Sequence, residues 1–329
     1  MAARTPGRPK AQRLDPAKEL RRRGAPGKTP AKAVKPASAA DWISGARVRT
    51  LTLAVGPVVV GSSAAYLLDG FDLALAILCL VVALALQIGV NYSNDYSDGV
   101  RGTDDHRVGP ARLTGSGAAR PRTVLSVAIA FFALAAVAGL AIVLISGYYW
   151  LLVVGAVAIA AAWFYTGGKR PYGYYGFGEL FVFVFFGIVA TAGTTFVQAG
   201  TVNLEGWLGG VAGGLLACAI LMVNNLRDID TDRAAGKRTL AVLIGRTASR
   251  VVFCILMLLP YVIAAFLALF YPPVYAVFFA LLLSLPACVI AITAKTPKEL
   301  ILALKLASFT ALAYSVLLAF GLVVPYSAI

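Results

Sequence analysis

The sequence has little charge for its length and only one histidine. Of its 329 residues, 13% are charged and 60% are hydrophobic, whereas soluble domains carry roughly 25% charged residues. This balance excludes an ordinary soluble fold and predicts an integral membrane protein. Because His106 is the single histidine, a metal cluster built from histidines and a proton relay of several histidines are also excluded.

Cysteine usage excludes two further kinds of site. The four cysteines lie singly in apolar runs, and they are Cys79, Cys218, Cys254 and Cys288. No Cys-x-x-Cys pair occurs, so neither a disulfide framework nor a cysteine metal site is predicted. The sequence also lacks the glycine pattern of a P-loop and a His-Glu-x-x-His motif, which removes those routes to phosphate or zinc chemistry.

Residues 1–40 differ from the remainder of the chain. They hold eleven Lys or Arg against Asp15 and Glu19 and are rich in Pro, Ala and Gly. A segment of this composition buries too little apolar surface to fold. We predict a disordered basic tail that is attracted to anionic lipid, with a transit peptide as the alternative.

The remainder of the chain is dominated by long apolar runs. A membrane-spanning helix needs about 20 mainly apolar residues. Nine stretches fit this requirement, with the approximate bounds 50–68, 72–93, 122–145, 148–166, 177–199, 206–226, 250–271, 273–294 and 303–324. We therefore predict an all-α membrane domain over residues 41–329, a bundle of nine transmembrane helices.

Basic residues are distributed unevenly between the predicted loops. The connections after spans one, three, five and seven contain no Lys or Arg, and all eighteen Lys and Arg beyond the tail lie before span one or in or beside the other loops. Cytoplasmic loops carry an excess of Lys and Arg. The pattern predicts a cytoplasmic N-terminus and an external C-terminus.

Two polar stretches follow spans two and six on the predicted cytoplasmic side. The first polar stretch is NYSNDYSDGVRGTDD, residues 91–105, and the second is NNLRDIDTDRAAGKRT, residues 224–239. In the second, Asn225, Asp228 and Asp232 recur at three to four residues and so share one helix face. Carboxylates close to the hydrocarbon are costly and usually mark a functional site.

The first polar stretch has the same spacing. Asn91, then Asn94 or Asp95, then Asp98 share one helix face, and the glycines at positions 99 and 102 are expected to turn the chain. Taken alone, such residues are also common at helix ends and in turns. Two similar stretches on one side of the membrane favour a functional interpretation.

Clustered carboxylates need a counter-charge, and a divalent cation supplies it. Mg²⁺ prefers a few carboxylates together with water and substrate phosphates. The two stretches are therefore predicted to hold Mg²⁺ bridged to a diphosphate. Nearby cations are predicted to clamp the anion, and they are Arg101, Arg107, Arg112, Lys169, Arg170, Arg227, Lys237 and Arg238.

A diphosphate site inside an apolar helical bundle suits polyprenyl diphosphate chemistry. The apolar chain needs a hydrophobic groove, and the allylic cation that forms as diphosphate leaves is stabilised by aromatic faces; Tyr165 and Tyr172 are the candidates. A transporter is the alternative of another class, but transporters hold their polar sites near the bilayer midplane. A soluble-type isoprenoid synthase also uses two Asp clusters, but the predicted membrane spans argue against it.

Long stretches of the sequence resemble the UbiA superfamily of intramembrane aromatic prenyltransferases over about residues 42–325. Asn94 to Asp98 fits the Asn-x-x-x-Asp pattern of the family, and Asp228 to Asp232 fits its Asp-x-x-x-Asp pattern. The stretches NYSNDYSDGVRGTDDHRVGPARLTGSG, YTGGKRPYGYYGFGEL and NNLRDIDTDRAAGKRTLAVLIG resemble the menaquinone branch. The resemblance implies a UbiA-like helical bundle with cytoplasmic active-site loops.

The resemblance also implies the acceptor. In the 4-hydroxybenzoate branch a third Asp follows the first motif by four residues, and this chain has Gly102 there and Asp104 two residues later. The menaquinone branch shares the later acid, so the resemblance implies transfer of a long prenyl chain to 1,4-dihydroxy-2-naphthoate with loss of its carboxylate. Homogentisate or another phenolic acid is the alternative acceptor. Arg107, or else Lys169, is expected to bind the acceptor carboxylate.

The expected site residues have three roles. The catalytic residues are Asp98, Asp228, Asp232, Arg107 and Tyr165. The metal ligands are Asn94, Asp95, Asp98, Asp104, Asp228 and Asp232. The substrate-binding residues are Asn91, Asn94, Arg101, Arg107, Lys169, Arg170, Tyr172, Asn224, Asn225, Arg227 and Lys237.

The expected cofactor is Mg²⁺, with Mn²⁺ as an alternative ion. The expected partners are a polyprenyl diphosphate, 1,4-dihydroxy-2-naphthoate and the lipid bilayer, with no nucleic acid. The expected location is a bacterial plasma membrane, with a multi-pass arrangement and the active-site loops in the cytoplasm.

Overall fold

The computed structural model describes residues 36–102 and 112–324. Within these ranges the chain forms helices and loops and contains no β-strand. The predicted basic tail lies outside the described residues except for positions 36–40. The first helix starts two residues before the predicted boundary at 41, because Ser38 caps it: the Ser38 hydroxyl accepts a hydrogen bond from the backbone N–H of Asp41, whose carboxylate accepts in return.

Twelve α-helices, numbered here in chain order, make up the described fold. They are α1 Ala39–Gly45, α2 Thr52–Tyr66, α3 Leu73–Arg101, α4 Pro121–Ser146, α5 Leu151–Phe164, α6 Gly178–Val182, α7 Ala190–Ala199, α8 Leu204–Arg227, α9 Ile229–Ala234, α10 Leu240–Ala268, α11 Leu281–Thr293 and α12 Leu300–Val323. Short 3₁₀ turns cover Val48–Leu51, Tyr172–Tyr175 and Pro272–Ala280, and a π-helical segment, Phe183–Val189, joins α6 to α7.

The predicted all-α membrane architecture is confirmed, but the count of nine spans is not. Eight helical stretches of the described chain are long and apolar enough to cross a membrane. The fourth predicted span, 148–166, is helical only over α5, which has 14 residues. At 1.5 Å per residue this helix is about 21 Å long, less than the hydrocarbon thickness of about 30 Å.

Helix α3 extends beyond the second predicted span. The span was predicted to end near residue 93, whereas α3 continues through the first polar stretch to Arg101 and ends at Gly102, where φ is +71°. Gly99 lies inside the helix instead of turning the chain. It is a point of close approach, because a Cβ there would lie 2.5 Å from Cγ2 of Thr114.

Helix α8 lies at the centre of the bundle. It packs against α10, α12, α2 and the π-helical segment, and its side chains Leu216, Met222 and Leu226 are fully buried. The π-helical segment approaches α8 closely, since a Cβ at Gly187 would lie 2.5 Å from Cα of Gly214. This packing carries the end of α8, and with it the second polar stretch, into the bundle next to α3.

Candidate active site

The amide side chains of the first polar stretch point into the interior. Asn91 and Asn94 are buried on α3. Asn91 Nδ2 donates to the carbonyl oxygen of Ala46 at 2.9 Å and to Oγ1 of Thr50 at 3.3 Å. Asn94 Oδ1 accepts a hydrogen bond from Oγ1 of Thr166 at 2.6 Å. These contacts tie α3 to the entry of the chain into the bundle and to the loop after α5.

Asp95 stabilises the loop that returns towards α4. Its two carboxylate oxygens accept the backbone N–H groups of Leu113 at 2.9 Å and Thr114 at 2.8 Å. The neighbouring Arg112 is thereby placed with Nη2 3.8 Å from Oδ2 of Asp98. The structure directs Asp95 at the loop backbone, although the sequence placed it among the metal ligands.

The second polar stretch begins in the last turn of α8. Arg227 is buried, and its Nε and Nη2 donate to Oδ1 and Oδ2 of Asp228 at 2.7 and 2.5 Å. Its Nη2 also donates to Oδ1 of Asn224 at 2.9 Å. A guanidinium that holds a carboxylate with two parallel hydrogen bonds is a strong and directional pair. It fixes the position of Asp228, where α8 ends and α9 begins.

The two polar stretches meet in a single polar pocket of about 80 Å³. Acidic and amide side chains from both stretches line it, namely Asn94, Asp98, Asn224, Asn225, Asp228 and Asp232. Cationic side chains line it as well, namely Arg47, Arg112 and Lys237. The sequence predicted that these two stretches act together, and the structure brings them together.

Lys237 belongs to the second polar stretch, and its ammonium lies between a carboxylate of each stretch. Its Nζ is 3.4 Å from Oδ2 of Asp98 and 3.8 Å from Oδ1 of Asp232. The ammonium also lies 4.7 Å from the centroid of the Tyr174 ring. The Tyr174 hydroxyl donates a hydrogen bond to Oδ1 of Asp98, so one tyrosine contacts the carboxylate and the cation.

An apolar cavity of about 850 Å³ adjoins the polar pocket. It runs between α3, α4, α5 and α7, and its volume lies in the upper part of the range of about 300–1,000 Å³ for ligand pockets. Five residues line both spaces, namely Arg47, Asn94, Arg112, Tyr165 and Asn224. The two spaces together offer room for an apolar chain beside an anionic group.

Aromatic rings line the cavity where it approaches the polar pocket. Tyr165 and Tyr172 meet edge to face with their centroids 5.6 Å apart, and Tyr172 stacks on Phe181 at 4.0 Å. Burial raises the pKa of the Tyr172 hydroxyl, and this group donates to the carbonyl oxygen of Ala161 at 2.8 Å. Tyr165 thus lies at the junction and Tyr172 lies against it beside the cavity, and their stabilisation of a cation stays a prediction.

The polar pocket offers oxygen ligands of the kind that bind Mg²⁺. Asn94, Asp98, Asp228 and Asp232 supply only oxygen ligands, which Mg²⁺ prefers. Among the residues that the structure describes, no group of three or more His, Cys, Asp or Glu lies close enough to hold a metal alone. The donors thus fit an ion that takes part of its coordination from a substrate phosphate.

Other predicted residues lie apart from this pocket. Lys169 and Arg170 are exposed in the loop after α5 and do not line it. Arg101 donates to the carbonyl oxygens of Thr166 and Gly168, so its guanidinium holds that loop. Asp104 and Arg107 fall outside the described residues, and their predicted roles remain predictions.

The structure also places residues at the site that sequence reasoning missed. Tyr174 touches Asp98, and Arg47 lines both spaces. Glu179 is buried on α6, where its Oε1 accepts a hydrogen bond from Nδ2 of Asn225 at 3.1 Å, and its Oε2 has no hydrogen-bond partner among the described residues. An acid inside an otherwise apolar span is a signal of function, and it could have identified Glu179.

The fold and the site together define a class of protein. A multi-pass helical membrane protein with an apolar cavity that ends at a pocket of carboxylates and cations is suited to an amphiphilic, anionic substrate. Residues 54–308 match the model of the UbiA prenyltransferase family. The chain belongs to the UbiA prenyltransferase family.

Two curated relatives within the family carry the same enzyme name. The chain is 56% identical to a 1,4-dihydroxy-2-naphthoate octaprenyltransferase of Mycobacterium tuberculosis over 66% of its own length and 74% of the relative. It is 31% identical to a protein of the same name from Bacillus subtilis, over 85% of this chain and 91% of the relative.

Solved structures share the fold at low sequence identity. A UbiA homolog from Aeropyrum pernix K1 has a TM-score of 0.63 at 17% identity, with 82% of this chain and 96% of that chain covered. A UbiA homolog from Archaeoglobus fulgidus bound to DMAPP and Mg²⁺ has a TM-score of 0.56 at 16% identity, with 86% of this chain and 99% of that chain covered.

Proposed function

We propose that the protein transfers a polyprenyl group from its diphosphate to 1,4-dihydroxy-2-naphthoate, with loss of the acceptor carboxylate as CO₂. The product is demethylmenaquinol, a step in menaquinone biosynthesis. The junction between the apolar cavity and the polar pocket is the observation that carries the proposal, since it fits both ends of a polyprenyl diphosphate. The names of the curated relatives support the naphthoate acceptor.

The polyprenyl diphosphate binds across the junction. Its apolar chain occupies the 850 Å³ cavity and its diphosphate enters the polar pocket, where Arg47, Arg112 and Lys237 supply cationic groups. Arg227 acts beside the pocket, where it holds Asp228. Mg²⁺, or Mn²⁺ in its place, would supply the positive charge that neutralises the departing diphosphate. Asn94, Asp98, Asp228 and Asp232 are the proposed ligands. We leave Asp95 out because both of its oxygens accept backbone hydrogen bonds.

Bond breaking and bond formation follow at the junction. The allylic C–O bond breaks and diphosphate leaves with the electron pair. The faces of Tyr165, Tyr172 and Phe181 stabilise the positive charge that develops on the prenyl carbon. The ring carbon that bears the carboxylate then attacks, and loss of CO₂ restores aromaticity. No proton has to be removed from that carbon, so the residues of the chain mainly orient the reactants.

The acceptor carboxylate requires a cation, because the acids of the polar pocket repel it. Arg107, which lies outside the described residues, stays the proposed partner from the sequence. Lys169 is exposed and away from the polar pocket, which weakens its candidacy. Arg47 lines both spaces and is an additional candidate at the junction.

The proposed setting is a bacterial plasma membrane. The cytoplasm borders the N-terminus and the polar pocket. It also borders the loops after the predicted spans two, four, six and eight, whereas the C-terminus is external. A transporter is disfavoured because the acidic side chains that line the polar pocket lie at or just beyond the C-terminal ends of α3 and α8 and not near the middle of these helices.

Label released from the acceptor tests the proposed reaction. Purified protein is supplied with carboxyl-labelled 1,4-dihydroxy-2-naphthoate, a polyprenyl diphosphate and Mg²⁺, and the prenylated product is quantified by mass spectrometry. We expect labelled CO₂ in proportion to product, and little product from 4-hydroxybenzoate. A prenylated product that retains the label, or a preference for 4-hydroxybenzoate, would contradict the naphthoate assignment while leaving prenyl transfer intact.

A further inference from the structure

The position of Lys237 is determined by the backbone around it. The Lys237 N–H donates to the carbonyl oxygen of Asp232 at 2.8 Å, and this hydrogen bond closes the turn that follows α9. The next N–H, that of Arg238, donates to the carbonyl oxygen of Tyr174 at 2.8 Å. The turn is therefore attached both to Asp232 on α9 and to the loop that carries Tyr174.

The side chain of Lys237 is mostly enclosed and contacts both polar stretches. It is 12% exposed, and its ammonium lies 3.4 Å from Asp98 and 3.8 Å from Asp232. The Tyr174 ring lies beneath it at 4.7 Å. Lys237 thus holds the carboxylates of two motifs that are far apart in the sequence, whereas Arg112, 3.8 Å from Asp98, contacts the first motif alone among the ion pairs described. The same location suits a divalent ion that bridges these motifs.

We propose that Lys237 is an internal counter-ion that holds Asp98 and Asp232 together and opposes metal binding until a diphosphate arrives. The inference rests on the proposed diphosphate chemistry. Two cations that share the same oxygens repel each other, and at a few ångströms this repulsion is large even in a partly polar environment. A diphosphate offers the ammonium a second anionic partner, so Lys237 leaves the carboxylates and contacts the phosphate oxygens.

Loss of Lys237 changes metal affinity in a direction that separates a counter-ion from a phosphate clamp. If Lys237 opposed nothing and only clamped phosphate, its loss would leave metal affinity in the absence of diphosphate unchanged. As an internal counter-ion, its loss instead makes metal binding tighter in the absence of diphosphate. In both cases the affinity for diphosphate falls, because one cation is removed from the pocket.

Binding of Mn²⁺ to the full-length protein in detergent tests this, with the free ion followed by electron paramagnetic resonance. Neither acceptor nor turnover is needed. We expect Lys237→Met to bind Mn²⁺ at least about tenfold more tightly than the wild type without diphosphate, as loss of a nearby like charge predicts. Addition of inorganic diphosphate should tighten Mn²⁺ binding to the wild type strongly and to Lys237→Met much less.

Two matched variants control for general effects of charge. Arg233→Met removes one positive charge from an exposed position on α9, next to Asp232 in sequence, and should leave Mn²⁺ affinity close to that of the wild type. Asp98→Asn removes a proposed ligand and should weaken Mn²⁺ binding in every condition. Lys237→Arg keeps the cation and should behave more like the wild type than Lys237→Met does.

The outcomes separate this inference from the proposed function. Mn²⁺ binding to Lys237→Met that is unchanged or weaker than in the wild type overturns the counter-ion role, whatever the enzyme catalyses. Equal tightening in Arg233→Met overturns it as well, because the effect is then a general one of charge. If the variants behave as expected but no prenyl transfer occurs with the naphthoate, the assigned acceptor fails and the counter-ion role stands.

Discussion

Asp98 and Asp228 differ from Asp230 in burial and in partners. The first two are buried and line the polar pocket. Asp230 lies on the same short helix as Asp232, but its side chain is 69% exposed and pairs with Arg246 at 2.8 Å. An exposed pair of this kind contributes at most about 1 kcal/mol to stability, so Asp230 offers a control on the same helix.

Removal of charge from the pocket should abolish most activity without unfolding the protein. We expect Asp98→Asn and Asp228→Asn each to lower turnover by at least about a hundredfold, the scale on which loss of one electrostatic group in an active site acts. Asp230→Asn should retain near-normal turnover. EDTA should abolish wild-type activity, and added Mg²⁺ should restore it. The metal site is contradicted if both pocket variants turn over normally.

The direction of a single side chain on a helix was not predictable from the sequence. On α3, Asn94 and Asp95 differ by about 100° around the helix axis, and the sequence left open which of them faces the site. The structure directs Asn94 into the polar pocket and Asp95 at the backbone of Leu113 and Thr114. That choice depends on which loop packs beside α3, which the spacing of residues along one helix does not contain.

At the scale of elements, α5 is short and lines one side of the apolar cavity. Gly155 lies on this helix and lines the cavity, and a Cβ there would meet no atom within 4 Å. A larger side chain therefore reduces the space for substrate without a clash inside the protein. Replacement of Gly by Leu in a helix also favours the helix by up to about 1 kcal/mol, so the fold should tolerate the change.

Gly155→Leu should discriminate between prenyl donors by length. We expect kcat/KM for a long polyprenyl diphosphate to fall at least about tenfold relative to kcat/KM for geranyl diphosphate, the effect of a few methylene groups in a tight pocket. The control is Val157→Leu, because Val157 is exposed on the same helix and does not line the cavity. An equal loss for both donors would argue that the chain does not pass along α5.

The sequence predicted where helices occur better than where they end. The long apolar runs predicted the presence of α3 and α8, and both are found. The helical spacing of Asn91, Asn94 and Asp98 was predicted, but the continuation through Gly99 to Arg101 was not, because the glycine was expected to turn the chain. Here Asn91, Asn94 and Asp98 stay helical since neighbouring segments supply their polar partners.

At the scale of the whole molecule, the arrangement in the membrane depends on α5. The described chain has eight helical stretches of full membrane length and this shorter one. Nine crossings place the two termini on opposite faces of the membrane, whereas eight crossings place them on the same face. The lack of Lys and Arg in alternate loops favours nine.

Tags at the two ends test this arrangement. We expect a tag placed before Trp42 to be cytoplasmic and a tag placed after Ile329 to be external, as measured in intact cells with a membrane-impermeant label. A tag in the loop after α9, which carries part of the polar pocket, should be cytoplasmic. If both termini lay on one face, α5 would not cross the membrane. The loops that follow α5 in the chain would then face the other side from the one predicted here.

The sequence by itself determined the class of this protein, most of its helices and the two motifs that line the polar pocket. These properties follow from composition, from apolar runs and from the spacing of residues along one helix, all of which are local. Only the tertiary structure decided that Lys237 stands between Asp98 and Asp232, that Asp95 holds a loop, and that the apolar cavity meets the polar pocket beside Tyr165. Such contacts join segments distant in the sequence, and their geometry is set by how the helices pack.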